Sequence, residues 1–218
     1  LRPEFITPQD GAVKQDCELN AAKRWLAAHT ALYTTGNDTL LGDDLYAHQP
    51  FCRQVLLHGF HFLFTCKPAS HAHLHSWIEG LQANGQLQAL KLKLKGKSNR
   101  WEHHQYRWAN GVPLTDSDDA LKVNWCEVTI TDANGAVRYR NALITDWKIT
   151  EGNVAGLVAA GRARWKIENE HNNVLKNRGY HLEHNFGHGK EHLASLLLTM
   201  NLLAFGLHTL LDLTDESY

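Results

Sequence analysis

The stretch "DTLLGDDLYAHQPFCRQVLLHGFHFLFTC", residues 38–66, constrains the fold more than any other. Thr39 to Leu41 reads as a short apolar strand, stopped by Gly42-Asp43-Asp44. Pro50 suits the first turn of a helix running through Leu57, and His58-Gly59 ends it. "FHFLFTC" then reads as a second buried strand. A strand, a helix and a strand in that order are the sign of a parallel pair, and so of an α/β fold.

Further elements flank this unit. "KQDCELNAAKRWLAAH", residues 14–29, places Leu19, Ala22 and Leu26 at helical spacing. From residue 86 the pattern changes. Leu90, Leu92 and Leu94 alternate with Lys91, Lys93 and Lys95. Trp101–Trp108, Trp125–Thr131 and Val137–Thr145 read as more strands, with Asn134-Gly135 as a hairpin turn. A helix is expected from an N-cap at Asn153 to about Arg178, where Gly179 ends it, and another from about Lys190 to Leu213. The expected organisation is an α/β core over 1–85, a β-rich insertion over 86–146 and C-terminal helices over 147–218.

With 43% hydrophobic and 21% charged residues the chain is of globular composition. Its formal charge of −1 excludes a polyanion binder acting through overall charge, so any nucleic-acid contact needs a local patch. Cys17, Cys52, Cys66 and Cys126 form no C-x-x-C and read as buried free thiols of a reducing, cytoplasmic compartment. No basic-then-apolar leader opens the sequence. Leu193–Leu213 is the most apolar run. It carries Ser195, Thr199, Asn201, His208, Thr209 and Asp212, and so reads as a buried helix of a soluble core, not a membrane span. The first residue is Leu1, not Met, which reads as a fragment.

Several residues carry possible chemistry. Asp43 stands at the C-terminal end of a buried strand, where α/β folds place their sites, and a loop aspartate or N-cap fits equally well. Glu168 shares a helix face with Arg164, about 40° away, and with Lys176, about 80° away. Trp165, Ile167 and Leu175 are expected to bury the other side, which leaves the carboxylate at the rim with two cations able to hold phosphate. Distant carboxylates with such cations suit two-metal phosphoryl transfer. Between Gln86 and Asn110, Lys91, Lys93, Lys95, Lys97, Arg100 and Arg107 face one acid, Glu102, and Trp101, Tyr106 and Trp108 interleave. That suits phosphate contact with base stacking, and equally a lysine-lined edge. His181, His184, His188 and His192 suggest a histidine-rich metal module or, more simply, a hydrogen-bonded loop.

"PEFITPQDGAVKQDCELNAAKRW", "LLGDDLYAHQPFC", "FLFTCKPASH", "LITDWKIT" and above all "RARWKIENEHNNVLKNRGYHLEHNFGHG" resemble the DDE-type transposases of bacterial insertion sequences. The likeness is to the branch with a β-strand insertion before the catalytic glutamate. It implies a ribonuclease H-like fold, two Mg²⁺ or Mn²⁺ ions, DNA ends and target DNA as partners, and a homodimer on paired ends. It puts the second metal-binding aspartate at Asp43, with Asp44 as the rival, and the glutamate at Glu168. Arg164 matches the family's DNA-contacting arginine. The accompanying tyrosine falls at Gly161 and the lysine at Leu175, with Lys176 one residue later. An insertion tryptophan is expected against an unpaired base. Lys91, Lys93, Arg107 and Trp101 are the insertion's candidates for DNA. The interval from Asp10 to Asp43 is too short for the family's first strands, so the chain reads as a C-terminal part lacking the first aspartate. A non-catalytic DNA-binding fragment of the same fold is the alternative.

Overall fold

A computed structural model describes residues 3–6, 16–33, 36–96, 100–184, 187 and 189–215. The chain divides into two compact units, Pro8–Ala163 and Leu1–Thr7 with Arg164–Tyr218.

The larger unit is mixed α/β. Its elements are α1 (Glu18–His29), β1 (Thr39–Gly42), α2 (Gln49–Leu57), β2 (His61–Thr65), α3 (Ala72–Ala83), β3 (Gln88–Lys95), β4 (Trp101–Pro113), β5 (Lys122–Asp132), β6 (Val137–Thr145) and α4 (Val154–Ala163). The strands form one sheet in the order β1-β2-β6-β5-β4-β3. β1 and β2 are parallel, joined through α2, while every other pair is antiparallel. The Asn134-Gly135 turn joins β5 to β6. Gly135 takes φ +83°, and the Asp132 carboxylate accepts from the Asn134 and Ala136 amides.

The β-rich segment is therefore no module apart. β6 returns along β2 and fuses the meander to the parallel pair. At the seam Thr145 is fully buried, and its hydroxyl donates to the Phe62 carbonyl at 2.6 Å. The compact units part at Ala163/Arg164. Alternation of residue types marks strands, but it does not show which strand each one joins.

Strand alternation sends side chains to two cores. Phe62, Phe64, Trp125 and Ile144 pack with Leu26 of α1, Val55 of α2 and Leu74 of α3. Leu63, Trp108, Cys126, Val128 and Leu143 pack with Val154 and Val158 of α4. Gly42 ends β1 where nothing larger fits, since a Cβ there would stand 2.8 Å from the Phe64 ring. The sequence reading had no helix at α3. Leu74, Ile78 and Leu81 do repeat at four and three there, but three histidines or glycines among them blur the pattern.

The segment from Asn153 to the C-terminal helix departs most from expectation. No continuous helix runs from Asn153 to Arg178. The Asn153 side chain accepts from the Thr150 amide and donates to the Lys148 carbonyl, so it ties back to the preceding loop. After a turn at Arg164 the chain forms a π-helical stretch, Ile167–Asn172, and then α5 (Asn173–Asn177). Gly179, at φ +92°, ends it. The final helix, α6 (Leu193–Thr214), buries none of its residues, which corrects the expectation of a core helix. Among the described residues it is the one helix long and apolar enough to cross a membrane.

Candidate nucleic-acid interface and carboxylate site

Asp43 and Asp44 follow β1 directly, and their environments differ. One oxygen of Asp43 accepts from the Leu45 amide at 3.0 Å, a local turn bond, and the other accepts no hydrogen bond from the described residues. Asp44 is committed to structure. It accepts from the Lys67 amide at 2.6 Å and from the Ser70 hydroxyl, and His71 Nε2 stands 3.5 Å away. Asp44 thus ties the loop after β2 to the end of β1. His71 is buried and stacks on His48. Burial holds its pKa below the usual histidine value, against the pull of Asp44 and with some help from His48 and His75. Of the two aspartates, Asp43 is the one with an oxygen to offer an external ligand.

Glu168 lies in the π-helical stretch with its side chain 60% exposed, and Arg164 Nη1 is 3.5 Å from its carboxylate. Trp165 and Ile167 are exposed, and only Leu175 of the three expected buried residues is buried. The rim reading of Glu168 is corrected accordingly. The α-helical step of about 100° does not hold through a π-helix, so faces counted with it drift. Lys176 does not turn to Glu168. Its ammonium pairs with Glu183 at 2.7 Å.

The insertion strands bring together what the sequence had scattered. Lys91 lies opposite Gln105 and Lys93 opposite His103 across the β3/β4 ladder, and Thr129 and Thr131 continue the same rows on β5. These six residues line one groove on the sheet face. Trp101 is 46% exposed at the end of β4, with the ammonium groups of Lys93 and Lys95 over its ring at 5.1 and 5.5 Å. Lys97 lies outside the described residues.

Arg107 is differently placed from Lys91 and Lys93. Its guanidinium binds Glu127 on β5 and Gln82 at the end of α3. Glu127 is buried and also takes Arg140 of β6, at 2.9 Å. One buried carboxylate between two arginines is therefore a cross-strand brace on three strands. Sequence reasoning missed Arg140. Only the register of β5 against β6 brings it to Glu127.

Among the described residues no group of three or more histidines, cysteines or carboxylates is arranged to hold a metal ion. His188 of the expected histidine loop lies outside them, as does Asp10. Cys52, Cys66 and Cys126 are buried free thiols, as expected. Desolvation pushes Cys52 and Cys126 up to about 12 and Cys66 higher still, so all three stay protonated. Cys17 is exposed, contrary to expectation.

No family model matches this chain, and no curated protein matches it either.

Proposed function

We propose that this chain is a DNA-binding protein of ribonuclease H-like fold, and that its chemistry is that of a DDE-type insertion-sequence transposase. The observation that carries the DNA reading is the exposed sheet face of Lys91, Lys93 and Lys95 around Trp101. It offers cations in a row at strand spacing with an aromatic plane among them, the combination that tracks a phosphate backbone and stacks a base. Glu127, the carboxylate embedded beside it, is neutralised by Arg107 and Arg140 and so does not cancel the patch.

The transposase part rests on the sequence resemblance, with Asp43 and Glu168 as metal ligands. The Asp43 oxygen that accepts no hydrogen bond from the described residues, at a strand end, is a hard donor of the kind Mg²⁺ and Mn²⁺ take. When bound, a pair of such ions supplies a clamp on the attacking and leaving oxygens of a phosphoryl transfer. On this reading Asp43 and Glu168 would each offer a carboxylate to such an ion, and Arg164 would meet backbone phosphate, as would Lys176 on exchanging its pairing with Glu183.

A fluorescence anisotropy titration with a short random-sequence DNA duplex, repeated over a range of salt, tests the DNA reading. Binding that weakens steeply with salt supports it, and no binding at low salt overturns it. Adding Mn²⁺ to the complex then separates the transposase from a non-catalytic DNA-binding fragment. Binding of the ion lost in both Asp43→Asn and Glu168→Gln supports the former, and binding unchanged in both supports the latter.

A further inference from the structure

His103 and His104 are neighbours on β4, and strand alternation sends them to opposite faces of the sheet. His104 is committed. Its Nε2 stands 3.2 Å from the Glu102 carboxylate and its Nδ1 3.2 Å from the Tyr106 hydroxyl. His103 is exposed, and among the described residues neither of its ring nitrogens has a hydrogen-bond partner. It shares the sheet-face groove with Lys91, Lys93, Gln105, Thr129 and Thr131, and stands opposite Lys93 on β3 and Thr131 on β5. All six side chains can donate a hydrogen bond, and none is an acid.

Such a set of donors calls for an anion, and the carboxylates around the groove are already engaged. Glu127, on the same face, is four residues along β5 from Thr131, about 13 Å at strand rise. Arg107 and Arg140 hold it. Glu102, next to His103 in sequence, pairs with His104, and Asp132, next to Thr131, pairs with Arg138. α3 ends at Ala83, and its Gln82 reaches Arg107, four residues along β4 from His103. Among the described residues, the charged groups that face His103 are therefore Lys91, Lys93 and Lys95 of β3, with Arg140 beyond them on β6.

We propose, resting on the DNA reading above and not on the transposase chemistry, that His103 is a further phosphate-contacting residue of this face and makes its grip on DNA depend on pH. A phosphate laid on the Lys91 and Lys93 rows comes within reach of the imidazole across the ladder. An anion beside an imidazole favours the charged form, in which both ring nitrogens donate. Binding then takes up a proton, so by linkage affinity rises as pH falls. Histidine is the side chain that changes charge between about pH 5 and 8. Lysine stays charged across that range and supplies no such dependence. His104 supplies none through this groove, because it lies on the other face with Glu102 and Tyr106.

Fluorescence anisotropy of the full chain with a random-sequence DNA duplex, at about pH 8 and about pH 5.5 and over a range of salt at each, tests it. The expected result is affinity about fivefold tighter at the lower pH, the upper end for an exposed ion pair. The log–log salt slope should steepen there by about 0.9, the share of one added phosphate contact. His103→Gln should bind alike at both pH values. His103→Lys should also bind alike at both, and more tightly than His103→Gln. A wild type whose affinity does not change with pH overturns the proposal. So does a His103→Gln protein that keeps the full dependence, which would assign it to other histidines. No binding by the wild type at low salt at either pH overturns the DNA reading itself, and the role of His103 with it. If His103→Gln does not fold, as read by circular dichroism, an NMR titration of the His103 ring in the wild type replaces it. Its midpoint should move upward on adding the duplex, and an unmoved midpoint overturns the proposal.

Discussion

Asp43 and Asp44 are adjacent, chemically identical and differently employed. Asp44 joins the end of β1 to the loop after β2 through the Lys67 amide and the Ser70 hydroxyl. Among the described residues Asp43 holds only its own turn. Asp44→Ala leaves the Lys67 amide without its acceptor and should cost about 1–3 kcal/mol in urea unfolding. Asp43→Ala should cost less than about 0.5 kcal/mol, as surface changes usually do. Equal losses would show that the two share the structural load. His71 adds a pH dependence. Its pKa is lowered by burial in the fold, so the unfolded chain takes up the proton first as pH falls. The stability its neutral form contributes is complete above the unfolded value of about 6.5 and is lost as pH falls from there through the folded value. His71→Phe should flatten the stability profile below pH 6.5 in thermal melts, and an unchanged profile would assign the acid sensitivity to other groups.

At the scale of an element, β3 and β4 separate cations that bind outward from one that braces the sheet. Lys91→Ala with Lys93→Ala should lower the log–log salt slope of DNA binding by about 1.8, since each phosphate contact contributes about 0.9. Their effect on stability should be small, because both are exposed. An unchanged slope would make the lysines a solvated face. Arg107→Ala should behave in the opposite way. It strips Glu127 of one partner and leaves a buried carboxylate with Arg140 alone. A loss of about 1–3 kcal/mol in chemical denaturation is expected, with the slope changed by less than one contact. An Arg107→Ala protein of full stability with a reduced slope would return Arg107 to the DNA-contact set.

For the whole molecule the prediction concerns reaction. The proposed function needs three acids; it assigns two of them to Asp43 and Glu168, and Asp10 is too close in sequence to Asp43 to stand on the strand expected to carry the third. Two acids leave one ion of a pair under-coordinated, and little else in such a site accelerates the transfer. This chain by itself is expected to bind DNA without cutting or joining it in Mg²⁺ or Mn²⁺, as read on end-labelled duplex. Cleavage that disappears in Asp10→Asn would show that the third acid lies within these 218 residues after all.

The sequence by itself determined the strands, α1, α2 and the parallel pair, but neither α3 nor the break after Ala163. Period and punctuation are properties of neighbours in the chain: Pro50 opens α2, Gly59 closes the turn after it, and alternating leucine and lysine write β3. Asp43 at a strand end and Lys91 with Lys93 on one strand face were legible for the same reason. The partners of those residues were not legible. That β6 pairs with β2, that Arg107 and Arg140 converge on Glu127, and that Lys93 covers Trp101 all depend on which strands become neighbours and in what register. The apolar run Leu193–Leu213 told of a helix, but its expected burial was decided otherwise. Apolar composition makes burial favourable but does not say which side faces which surface. Here Phe205 and His208 pack against Tyr180 within their own unit, while Leu203, Leu207 and Leu213 stay exposed.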